Sequence, residues 1–100
     1  MKLSVIDRFT LLNVLPKEGN YLTLRIIRDL QSELSFSEDE LREMNFKEES
    51  GAATWNEIEK EINIGEKAND VIIGALKKAD KESKLTIEMI DTYGKFIEVG

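Results

Sequence analysis

The sequence predicts an α+β fold, mainly helical, and three observations carry that prediction. Apolar residues recur at three- and four-residue spacings in four separate segments, a serine–glutamate capping box opens a short fifth one, and the spacing turns to alternation only between Phe46 and Ile64. The 100 residues, 41% of them apolar and 34% charged, fit a single domain over 1–100 with one core.

In the first segment Val5, Ile6, Phe9 and Leu12 share a stripe, with Asp7 and Arg8 off it. A helix is expected from about Ser4 to Asn13, stopped ahead of Pro16, which disfavours helical geometry in the residue before it. Gly19 and Asn20 turn the chain. A second helix then places Leu24, Ile27, Leu30 and Leu34 inward and Arg25, Arg28, Asp29 and Gln31 outward, completing a helical hairpin.

Ser37 through Glu40 form the clearest local signal. The Ser37 hydroxyl can accept from the third backbone amide while Glu40 reaches back to the first, with Phe36 and Leu41 placed as a hydrophobic staple. A short helix from Glu38 to Met44 follows, closed by Asn45 in the left-handed region. Ser50 and Gly51 separate Phe46–Glu49 from Ala53–Asn56, which suits a hairpin whose tight turn needs positive φ. Ile62 and Ile64 alternate with Glu61 and Asn63, so the small antiparallel sheet has two strands, or three if Lys60–Ile64 joins it.

Two carboxy-terminal helices complete the fold. The first starts at Gly65, carries Ala68, Val71, Ile72, Ala75, Leu76 and Ala79 on one side, gathers Lys77, Lys78 and Lys81 in its last turn, and ends near Ser83. Thr86 is the expected cap of the second, with Met89, Ile90, Tyr93, Phe96 and Ile97 inward. Gly94 in its interior costs about 1 kcal/mol relative to alanine, which a close helix crossing would explain.

The chain has no histidine and no cysteine, so it lacks the usual neutral-pH acid/base group, the thiolate nucleophile, and the imidazole and thiolate zinc ligands. No enzyme activity, cofactor or metal is expected. Paired carboxylates such as Glu57 with Glu61 need burial to separate their proton affinities, and they lie in the most polar part of the chain. Asp80, Glu82, Lys84, Thr86, Glu88 and Asp91 resemble the calcium loop of the EF-hand family. Lys84, however, puts a cation where an oxygen ligand belongs, and Leu85 replaces the glycine of the sharp turn.

The net charge of -6 is unevenly spread. Residues 1–32 hold five basic and three acidic groups, residues 33–61 three and ten, and residues 62–100 six and seven. The middle third thus carries the acidic excess, and Glu38, Asp39, Glu40, Glu43, Glu48, Glu49 and Trp55 are the expected interaction surface: carboxylates that speed encounter with a basic protein, and an aromatic anchor. The competing reading is a solvated face, with Trp55 packing across the hairpin. Direct contact with nucleic acid is not expected, because like charges repel, although carboxylates at phosphate spacing would make the chain a DNA mimic. A further alternative is an anionic-ligand site, such as one for a nucleotide signal, built from Tyr21, Arg25, Arg28 and Tyr93.

The opening from Leu3, Val5, Ile6, Asp7 and Arg8 to Leu15, Pro16, Lys17, Glu18 and Gly19, with the capped acidic segment from Ser35 to Met44, resembles small uncharacterised acidic proteins of tailed phages and prophages. The resemblance implies a modulator or inhibitor of a host factor. Asp7 and Arg8 interrupt the first apolar run, so no signal peptide or membrane association is expected and the location is cytoplasmic. The apolar stripes on four helices exceed what a small sheet can cover, which predicts a homo-oligomer, most simply a two-fold dimer.

Overall fold

The computed structural model describes residues 1–97. In chain order it contains β1 (Lys2–Ser4), α1 (Val5–Val14), α2 (Tyr21–Leu34), α3 (Glu38–Glu43), β2 (Lys47–Glu49), β3 (Ala52–Thr54), β4 (Glu59–Glu61), α4 (Glu66–Lys81), a 3-10 turn (Ile87–Met89) and α5 (Ile90–Phe96). The α+β, mainly helical class therefore holds. None of the described helices is long and apolar enough to cross a membrane.

Helix α1 is the hub, packed against α2, α4 and α5. Its Leu11 and the following Leu15 meet Ile27, Leu30 and Leu34 of α2 and Ile72 and Leu76 of α4 in one buried cluster. Burial of each such side chain contributes roughly 1.5–3 kcal/mol, which is what holds these short helices together. Helix α4 presents the expected stripe, with Ile72, Ala75 and Leu76 buried. It ends in a Schellman closure: Ser83 sits at φ +57, and the amide of Lys84 donates to the carbonyl of Ala79 at 2.8 Å. Asn45 closes α3 in the same way at φ +49, with the Phe46 amide donating to Leu41.

The sheet departs from the three-stranded alternative. β2 and β3 pair only with each other, while β4 pairs antiparallel with β1, Leu3 opposite Lys60. The reason lies in burial. Every residue of β2 and β3 is exposed, so that hairpin has no face to pack, whereas Leu3 and Ile62 at the β1–β4 pairing enter the core. The hairpin turn itself is as expected, with Ser50 at φ +51 and Gly51 at φ +79 in a two-residue connection that matches strand twist.

Other inward assignments also change. Leu24 is 37% exposed and Ile90 61% exposed, because the stripes of α2 and α5 rotate onto Ile27, Leu30 and Leu34 and onto Thr92. Thr86 makes no side-chain cap; a 3-10 turn takes its place. Among the described residues nothing lies within 4 Å of where a Cβ on Gly94 would stand, so no close helix crossing accounts for it there. Asp7 and Arg8, expected outside the apolar stripe, are buried.

Candidate interaction surface

The acidic surface is built on the capping box of α3. Ser37 Oγ accepts from the Glu40 amide at 3.1 Å, and the Ser37 amide donates to Glu40 Oε1 at 3.2 Å. This anchors the helix start and turns Glu40 inward, toward Arg8. Arg8 is 1% exposed and donates Nη1 to Glu40 Oε2 at 2.5 Å and Nη2 to Oε1 at 3.2 Å. Its remaining donors reach the carbonyls of Leu34, at 3.0 Å, and Ser35, at 2.6 Å, and its guanidinium lies 3.9 Å over the Phe36 ring. Arg8 thus satisfies the carbonyls at the end of α2 while holding the start of α3. The hydrogen bonds from Arg8, working against partial burial, bring the Glu40 carboxyl from the usual 4.5 down to about 2.

Beside this ion pair lies an aromatic group. Phe9 of α1 meets Phe36 at 5.0 Å and Trp55 edge-on at 5.7 Å, while Trp55 stacks on Phe46 across the foot of the hairpin at 6.3 Å. All four rings are half-buried. The Asn56 amide donates to the Met44 carbonyl at 2.6 Å, tying the hairpin foot to the end of α3. On α3 and β2, the elements on either side of Phe46, Glu38, Asp39, Glu43, Glu48 and Glu49 are exposed. Asp39 pairs with Arg42 at 2.8 Å; Glu38, Glu43, Glu48 and Glu49 have no ion-pair partner among the described residues. Of the seven residues expected on this surface, five are open carboxylates, Trp55 is a partly covered ring, and Glu40 is committed to Arg8.

A second buried charge lies on the other side of α1. Asp7 closes a capping box with Ser4 and accepts from Thr92 Oγ1 at 2.6 Å and from Lys95 Nζ, which ties α5 to α1. Burial alone would raise its carboxyl, but the hydrogen bonds from Lys95, Thr92 and Ser4 outweigh burial and leave it lowered. Asp7, Glu57, Asp91 and Lys95 border a cavity of about 560 Å³, and Glu57 there accepts from the Val5 amide at 3.0 Å. The Asp7 and Glu40 carboxyls are driven the same way, toward the ionised form, so they do not divide into an acid and a base. Every buried side-chain nitrogen and oxygen among the described residues has a hydrogen-bond partner.

The residues of the anionic-ligand alternative are divided. Tyr21, Arg25 and Arg28 line an open cavity of about 460 Å³ with Leu24 on the outer face of α2, and the Arg25 guanidinium lies 5.7 Å from the Tyr21 ring centre. Tyr93 is not with them. It packs at the edge of the core, and its hydroxyl donates to Asp80 on α4 at 3.3 Å; desolvation first, and then the Asp80 carboxylate, raise its proton affinity. Among the described residues no three acidic side chains are gathered to hold a metal ion.

The buried residues Asp7, Arg8 and Thr92, and the exposed Lys95 that pairs with Asp7, do not stand out in the sequence pattern. A signal for the first two exists: Ser4 and Asp7 have capping-box spacing, and Arg8 lies three residues from both Val5 and Leu11, on the face that α1 buries. No protein-family model, curated protein sequence or solved structure matches the chain.

Proposed function

We propose that the chain is a non-catalytic interaction protein whose acidic surface, carried by α3 and the β2–β3 hairpin, docks on a basic surface of another protein in the cytoplasm. The observation that carries this reading is the set of four exposed carboxylates without ion-pair partners among the described residues, Glu38, Glu43, Glu48 and Glu49, on α3 and β2, the two elements joined through Phe46, on which the half-buried ring of Trp55 stacks. Unpaired charges of one sign steer diffusional encounter, and the partly exposed ring supplies apolar contact that excludes water once docked. Glu40 takes no direct part; it holds the helix on which the others stand. The resemblance to small acidic phage proteins makes a host-factor modulator the form this function takes.

The test is capture on the immobilised chain from a bacterial cytoplasmic extract, followed by association kinetics of the captured protein at increasing salt. The variant E38K/E43K/E48K/E49K should associate roughly 10- to 100-fold more slowly and lose the steep salt dependence. Equal association of wild type and variant with one partner refutes the reading.

A further inference from the structure

The exposed side of α2 has a different composition from the acidic surface and shares no residue with it. Leu22 is 73% exposed and Tyr21 65%, and the two are adjacent in the first turn of α2, with the 37% exposed Leu24 beside them. Leu22 stands in one row with Ile26, Asp29 and Glu33, the row that borders a groove of about 510 Å³ between α2 and the start of α4. Ile26, Leu30 and Ala68 are its apolar lining; its charged lining is Asp29 and Glu33 on the α2 side and Glu66 and Lys67 on the α4 side, three acidic groups to one basic. Along the same exposed side the charge changes sign: Arg25 and Arg28 come first, Asp29 and Glu33 after them, and none of the four has an ion-pair partner among the described residues.

We infer that a second copy of this chain docks on α2, antiparallel across a two-fold axis, with Leu22 of each copy seated in the other's groove. The charge order selects this geometry. An antiparallel pair centred near Ile27 sets each Arg25 against the partner's Asp29 and brings the acidic groove rim of one copy to the basic half of the other. A parallel pair sets like charges against like. The same antiparallel register carries Leu22 to the far half of the partner helix, where the groove lies. The contact is the same patch on both copies, so it closes at two and leaves the acidic surface free.

Sedimentation velocity over a concentration series tests this with the wild type, L22K, R25D, D29R and the charge swap R25D/D29R. All three side chains are exposed, so each variant should keep the wild-type circular dichroism and thermal midpoint. The wild type should form a dimer that does not grow further. L22K and either single charge change should weaken it by roughly tenfold or more, and the charge swap should restore it to within about a few-fold, because the swap rebuilds the pair with its signs exchanged. A wild type that stays monomeric throughout the series, a dimer that L22K leaves unchanged, a charge swap no better than the single changes, or growth beyond two copies would each overturn the inference. E38K/E43K/E48K/E49K, which disables the proposed docking surface, should dimerise as the wild type does, so the two proposals fail separately.

Discussion

Asp7 and Arg8 are adjacent on α1, both buried, and oppositely charged, yet each finds its partner on a different helix: Asp7 takes Lys95 of α5, and Arg8 takes Glu40 of α3. Successive residues of a helix point about 100° apart, so one turn of α1 fastens two elements, one from the middle of the chain and one from near its carboxy terminus.

Loss of one member of a buried pair strands the other charge. R8A should destabilise the fold by about 3–5 kcal/mol, since it also leaves the carbonyls of Leu34 and Ser35 without donors. E40Q keeps a hydrogen-bond acceptor and should cost about 1–2 kcal/mol. Urea unfolding followed by circular dichroism gives both values, and an R8A loss below that of E40Q would contradict the arrangement.

Thr92 and Lys95 hold α5 through a carboxylate that burial disfavours. D7A should loosen α5 first, so amides of residues 90–96 exchange with solvent faster than those of α2 or α4. T92V keeps the shape and removes one hydrogen bond, for a loss of about 1–2 kcal/mol. Hydrogen exchange resolved by NMR separates the two effects.

Stability should fall in acid through the same groups. The Glu40 carboxyl is lowered from 4.5 to about 2, so its contribution is present above the unfolded value and is lost as pH drops through the folded one; Asp7, also lowered, adds in the same direction. Thermal midpoints should therefore decline between about pH 5 and pH 2, and E40Q should flatten part of that decline. An unchanged acid profile in E40Q would show that Glu40 is not held by Arg8 in solution.

Trp55 is the chain's single tryptophan, so its fluorescence reports on the aromatic group directly. W55A should cost about 1–2 kcal/mol, less than a fully buried ring, because Trp55 is half-covered. F9A, which removes the ring that meets Phe36, Phe46 and Trp55, should shift Trp55 emission toward that of solvent-exposed indole.

Gly51 at φ +79 tests the hairpin turn. G51A should destabilise it by about 1 kcal/mol, seen as faster amide exchange in residues 47–54 with the midpoint of the core little changed, since that hairpin buries no residue.

Local signals were legible in the sequence and distant ones were not. The Ser37–Glu40 capping box, Asn45 as a left-handed helix end and the Ser50–Gly51 turn each follow from a few neighbouring residues, and each stands where expected. The pairing of β1 with β4 joins two three-residue strands on either side of most of the fold, and strands that short carry no pattern that names a partner. In the sequence the charge of Asp7 and Arg8 points to exposure; the partners that permit their burial, Leu34, Ser35 and Glu40 for Arg8 and Thr92 and Lys95 for Asp7, are distant in the chain and visible only in three dimensions. For the candidate surface, the acidic stretch was legible as composition. The assignment of Glu40 to Arg8 was not, because the capping-box spacing marks Glu40 only as the partner of Ser37 and says nothing of a guanidinium 32 residues away.

The β1–β4 pairing has a mechanical corollary. It brings the chain back to its starting edge before α4 begins, so α3 and the β2–β3 hairpin lie within a stretch whose two ends are clasped together. A pull exerted on α3 and that hairpin would reach α1 through the guanidinium of Arg8, the ring of Phe9 and the Val5 amide that donates to Glu57. The same turn of α1 carries the Asp7–Lys95 tether, so the helix that bears this load is also the one to which α5 is tied.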